Sequence, residues 1–174
     1  MTPVPAPRTL TGSAARLPAS TRVAVVVARW NDSITRRLLE AAVARLRAAG
    51  LPVEGLDVAW VPGSFELPLA ADRLAATGRY AAVLCLGAII KGETIHDRVI
   101  ADAVAVGIEA TGRAHGLPVI FGVLTCDTLA QALARAGGSE ADAFAGNKGA
   151  ECAEAAIEMI GLLAAIDGDE GQRA

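Results

Sequence analysis

The sequence predicts an α/β fold, a three-layer αβα sandwich with helices on both faces of a parallel four-stranded sheet. Three observations carry this. Four short apolar runs alternate with segments of helical period, and the gaps between runs have helical length, so right-handed crossovers return each run to one parallel sheet. The runs are nearly continuous in Val, Leu, Ile and Ala, as strands covered on both faces are. Hydrophobic residues make up 53% of the 174 while aromatics make up only 3%, so the core must be aliphatic.

The elements follow in order. Arg22–Ala28 is a β-branched first strand. Asp32 or Ser33 then caps a helix whose apolar positions Ile34, Leu38, Leu39, Ala42 and Leu46 keep a 3.6-residue period, and Gly50 stops it. Val53–Trp60 is the second strand; Pro62-Gly63-Ser64 turns into a helix over Phe65–Thr77, with Ser64 at its N-cap and Gly78 closing it. Tyr80–Ala88 is the third strand, and a helix runs from about Asp97 to Ala114. Pro118–Thr125 is the fourth strand, Asp127 or Thr128 starts a short helix ending at Gly137, and after the loop Gly138–Gly146 a last helix spans Asn147–Ile166. Residues 1–20, with prolines at 3, 5, 7 and 18, read as an extended or flexible arm; residues 21–166 form one domain and 167–174 a tail. No internal repeat is present.

Composition narrows the function classes. The length suits one domain able to bury a real core. A net charge of −3 with no basic block argues against a nucleic-acid partner. No uninterrupted apolar run approaches the roughly 20 residues that span a bilayer. Cys85, Cys126 and Cys152 are odd in number, have no CxxC spacing and sit in apolar segments, which fits reduced structural thiols in a cytoplasm. Two distant histidines give a zinc site little to build on. So aliphatic a chain also points to apolar surface hidden between subunits.

In a sheet of this kind, ligands sit beyond the carboxyl ends of the strands, where strand order reverses. If the order is 2-1-3-4, strands one and three flank that point, and Trp30 faces one crevice with the turn Gly92–His96. That turn joins an apolar strand to a helix start, where free N–H groups and the helix dipole attract an anion. His96 puts a titratable imidazole beside it. Taken alone, Gly92 and His96 fit a plain turn with a capping or packing histidine better than they fit a site. Trp30 is either a rim-packing residue or a stacking surface for a heteroaromatic ring. Ser64 and Glu66 are either a well-capped helix or donors and a carboxylate for polyol hydroxyls. Arg135 is either a dipole partner at a helix end or the cation for a phosphate. Only two lysines occur, Lys91 and Lys148, and both fall inside motif segments. No GxGxxG follows the first strand, and neither a P-loop nor a GxSxG elbow is present.

Five ordered motifs then carry a resemblance: Arg29-Trp30-Asn31; Pro62-Gly63-Ser64-Phe65-Glu66; Gly92-Glu93-Thr94-Ile95-His96; Phe121-Gly122-Val123-Leu124-Thr125 with Asp127-Thr128; and Ala145-Gly146-Asn147-Lys148-Gly149-Ala150-Glu151. Over residues of about 20–165 the chain closely resembles the lumazine synthase family of riboflavin biosynthesis. The resemblance implies a flavodoxin-like sheet in 2-1-3-4 order. It implies condensation of 5-amino-6-(D-ribitylamino)uracil with 3,4-dihydroxy-2-butanone 4-phosphate, releasing phosphate and water, with no metal or organic cofactor. Trp30, with Asn31 beside it, would stack on the pyrimidine. The turn Ser64, Phe65, Glu66 and the strand end Ala88, Ile89, Ile90 would bind its edge and ribityl chain. Gly92, Glu93, Thr94 and Arg135 would hold the phosphate, and His96 would transfer protons. Phe121, Arg135 and the supporting Lys148 would come from a neighbouring subunit, so the site would exist only in an oligomer, in this family a homopentamer.

Two departures from the family pattern stand out. Asp97-Arg98 follows His96 where an aromatic residue and then Asp are usual, which puts a carboxylate where it can orient or pair with the imidazole. The loop Gly138–Phe144 is longer than the compact form and carries Glu140 and Asp142, which opposes closure of pentamers into a shell. Two other functions compete. A catalytically silent flavin- or lumazine-binding assembly protein would keep Trp30 and the Ser64 turn but lose the imidazole or the phosphate grip, and His96, Thr94 and Arg135 are all present. A flavodoxin-type mononucleotide module would place its phosphate loop after the first strand, where Trp30 stands instead.

Overall fold

The computed structural model describes residues 9–12, 16–137 and 146–170. Most of the N-terminal arm, the loop Gly138–Phe144 and the last residues of the tail lie outside the described residues.

Four strands, β1 (Val23–Ala28), β2 (Leu56–Val61), β3 (Ala82–Ile90) and β4 (Val119–Cys126), form one sheet in the order 2-1-3-4, parallel throughout. Helices α1 (Asp32–Ala48), α2 (Leu67–Ala75), α3 (His96–His115), α4 (Leu129–Arg135) and α5 (Lys148–Glu170) cover it on both faces. The alternation of β1 explains the layering. Val23, Val25 and Val27 face the core shared with Leu38 of α1 and Ala156 of α5, while Ala24, Val26 and Ala28 face Leu67 of α2 and Ile108 of α3. Every residue of β1 is fully buried, and its apolar run reads accordingly.

Several boundaries differ from the sequence reading for local reasons. β2 starts at Leu56 because Pro52–Gly55 closes a tight turn, the Gly55 N–H donating to the Pro52 carbonyl at 3.0 Å. The second helix divides into a turn at Ser64–Glu66 followed by α2, where Pro68 occupies the first turn and needs no N–H partner. Neither Asp32 nor Ser33 caps α1; Asn31 holds that position in a left-handed conformation and its side chain points elsewhere. Thr128 does cap α4, accepting from the Gln131 N–H at 3.2 Å while the Gln131 amide oxygen accepts from the Thr128 N–H at 3.2 Å. α5 continues past Ile166 to Glu170, since Gly168 keeps a helix-compatible φ. At the near end of the arm, Leu17 is buried and its N–H donates to the Ala49 carbonyl, joining residue 17 to the α1 side of the core.

Close approach between α1 and α5, neighbours on one face of the sheet, depends on Gly149. A Cβ there would lie 1.9 Å from the Leu38 carbonyl oxygen, so α1 and α5 meet backbone to backbone at the start of α5.

Candidate active site

The carboxyl ends of β1, β2 and β3 open into a cleft of about 780 Å³, at the point where strand order reverses. Its first wall follows β1. The Arg29 and Trp30 N–H groups donate to the carbonyls of Val61 and Pro62 at 2.9 and 3.1 Å, carrying the β1–β2 pairing past the strand ends. Asn31 then turns left-handed, at φ 63° and ψ 44°, a conformation Asn tolerates better than most residues. Its amide donates to the Ala88 carbonyl at 2.8 Å and so ties the end of β1 to β3. Trp30 is left 74% exposed on the cleft, with a flat indole face open to a planar ligand.

The second wall is the turn after β2. The Gly63 N–H donates to the Glu66 carboxylate at 2.9 Å, which fixes both residues at the cleft edge. Ser64 is buried beneath them, and β3 makes room for it: a Cβ on Gly87 would come within 2.7 Å of the Ser64 hydroxyl oxygen. A glycine inside an apolar strand is the sequence signal of such an approach. Phe65 stays 60% exposed and lines the cleft beside Ala88, Ile89 and Ile90 of β3.

The third wall is the turn leading into α3. No side-chain cap closes this helix; the His96 N–H donates to the Thr94 hydroxyl at 3.3 Å and the Arg98 N–H to the Ile95 carbonyl at 3.1 Å. The positive end of a 20-residue helix therefore borders the cleft, an end of the kind that attracts a small anion. Gly92, Thr94, His96 and Asp97 line this wall, while Glu93, on the same exposed turn, is not part of the lining. Among the described residues His96 forms no ion pair, with Asp97 or any other carboxylate. The other histidine, His115, is engaged at the far end of α3, 2.8 Å from the Asp72 carboxylate, so His96 is the cleft's one imidazole.

Phe121, Arg135 and Lys148 lie elsewhere. They line a second, smaller cleft of about 220 Å³ against β4, and the two clefts share no lining residue. Phe121 is 44% exposed there, Arg135 is exposed at the end of α4, and Lys148 is paired with Glu151 in the first turn of α5. The three cysteines are buried and unpaired. Burial pushes the Cys85 thiol up to about 12 and the Cys152 thiol, which lines the second cleft, up to about 11, so neither supplies a thiolate near neutral pH.

The structure thus brings Trp30, Asn31, Ser64, Phe65, Glu66, Ala88, Ile89, Ile90, Gly92, Thr94 and His96 to one cleft and leaves Phe121, Arg135 and Lys148 on another. Sequence reasoning missed Val99 and Ile100, which line the first cleft. The signal was available, because positions three and four beyond His96 share its face of α3. Among the described residues no three His, Cys, Asp or Glu side chains gather as a metal site would, and no helix is long and apolar enough to cross a membrane. Residues 20–164 match a family model described as 6,7-dimethyl-8-ribityllumazine synthase.

Proposed function

The chain belongs to the 6,7-dimethyl-8-ribityllumazine synthase family, and from that premise we propose that it condenses 5-amino-6-(D-ribitylamino)uracil with 3,4-dihydroxy-2-butanone 4-phosphate, releasing phosphate and water. The observation that carries this reading is the meeting, on one cleft, of an open indole face with a helix start and a lone imidazole. A pyrimidine stacked on Trp30 has its edge toward Ser64 and Glu66 and toward the Ala88–Ile90 strand end. A phosphate at Gly92–Thr94 places the attached ketone between that ring and His96. Attack of the pyrimidine amine on the ketone carbon forms a C–N bond and loss of water leaves an imine; loss of a C–H proton and of the phosphate group then gives an enol that tautomerises to a second ketone, on which the ribitylamino nitrogen closes the ring with loss of another water. His96 takes up the proton the amine gives off and returns one to the departing oxygen. Much of the acceleration comes from holding the two reactants in register, since amine and ketone combine without a protein as well.

Arg135 completes the phosphate grip, Phe121 closes over the ring and Lys148 supports them, all three from a neighbouring copy. The separateness of the two clefts supports this, since a ring of copies brings the second cleft of one chain to the first of the next. We infer a homopentamer in the cytoplasm, in keeping with free, buried thiols. Purified protein mixed with both substrates and followed by lumazine absorbance tests the activity, with one phosphate expected per lumazine. Binding of the pyrimidine without turnover would instead establish a silent ligand-binding protein.

A further inference from the structure

Asn147 is 2% exposed and lines neither cleft, yet it joins the two chain segments that carry the second cleft's cations. Its side-chain NH2 donates to the carbonyl of Ala136 at 2.5 Å and to the carbonyl of Arg37 at 3.3 Å. Its side-chain oxygen accepts from the Gly149 N–H at 2.8 Å, which caps α5. Both donors and the acceptor of this buried amide are therefore used. Ala136 directly follows Arg135, and Lys148 directly follows Asn147. One side chain thus fixes the end of α4 to the start of α5 and both to α1. The Arg37 side chain adds a second tie, donating to the Gly137 carbonyl at 3.3 Å.

The need for such a clamp follows from the size of α4. Seven residues make about two turns, too few to be stable alone in water. Thr128 secures the start of α4, but Arg135 stands in its last turn, where carbonyls lack helical partners and the chain frays. The amide of Asn147 takes one of those carbonyls, that of Ala136, and holds the turn against α1.

We propose that Asn147 is a positioning residue, holding the end of α4 so that Arg135 is set where its guanidinium reaches the phosphate. This rests on the phosphate role given to Arg135 above. The test uses the intact oligomer, inorganic phosphate as the calorimetric probe, and the KM of each substrate. Asn147→Ser keeps an acceptor for the Gly149 N–H but cannot span to Ala136 and Arg37. Asn147→Asp keeps the acceptor and turns a carboxylate toward both carbonyls. Each should weaken phosphate and raise the KM of the phosphorylated ketone about tenfold, with the pyrimidine KM unchanged. In the Arg135→Ala background Asn147→Ser should add nothing further. A purely structural role would lower the melting temperature of Asn147→Ser and leave phosphate affinity at the wild-type value, which would overturn the proposal. If Arg135→Ala itself binds phosphate as wild type does, the phosphate reading fails and the positioning role falls with it.

Discussion

The amide of Asn31 donates to the carbonyl oxygen of Ala88 at 2.8 Å, and this bond fixes the mouth of the cleft. Asn31 sits one residue after Trp30 at the end of β1, and Ala88 lies near the end of β3. Fastening one to the other holds the indole beside the start of α3. Asn31→Gly keeps the left-handed backbone and deletes this bond together with the cleft-lining amide. We expect a stability loss of about 1 kcal/mol and a several-fold rise in the KM of the pyrimidine. Thermal melting and steady-state kinetics check both; an unchanged pyrimidine KM would show that Trp30 is placed without it.

His96→Ala should slow turnover on the order of a hundredfold while leaving measurable activity, because alignment of the two substrates survives. The side chain is exposed and makes no ion pair among the described residues, so folding and assembly should not change. A wild-type rate in a properly assembled variant would remove His96 from the reaction.

Arg135→Ala should weaken the phosphorylated ketone about ten- to a hundredfold, the loss of a charge-assisted contact to phosphate, and leave the pyrimidine almost untouched. Arg135→Lys should recover part of it, since a point charge replaces a fork. Separate KM values decide; equal losses for the two substrates contradict the role.

How far these residues could be read from sequence varied with the physics behind each. The sheet was legible because strands buried on both faces must be continuous aliphatic runs, as Val23–Ala28 is. The start of α1 was not, because Asn31 spends its side chain on Ala88, a residue 57 positions away that no local pattern reveals. Trp30 after a strand and His96 at a helix start were legible as rare residue types, whereas Val99 and Ile100 look like ordinary apolar positions of an amphipathic helix and only their spacing from His96 marks them. The separation of Arg135 and Lys148 from the first cleft is shown by no local pattern and was implied only by the family resemblance; its physical reason is β4's place at the sheet edge.

Asp57, at the opposite end of the sheet, gives a pH test of stability. The Tyr80 hydroxyl donates to its carboxylate at 2.6 Å and Arg22 pairs with it at 2.7 Å, and together they hold its pKa below the usual carboxylate value. A lowered folded-state pKa adds stability above the unfolded value of about 3.9, lost as pH falls through the folded value. Asp57→Asn should therefore be less stable than wild type at pH 7, and the gap should narrow below about pH 4. Denaturant midpoints across that range measure it; a gap independent of pH would assign the effect to packing.

On the proposed function, the two clefts form one active site only across a subunit boundary. Co-expression of His96→Ala and Arg135→Ala chains under different tags, with purification of the mixed oligomers, tests it most directly. Each variant keeps intact the half-site that the other lacks. If adjacent copies share a site, random mixing restores about a quarter of the sites, and the mixed oligomers should show close to that share of wild-type activity at limiting ketone phosphate. Mixed oligomers no more active than the average of the two separate variants would show that each chain works alone and that no site is shared between copies.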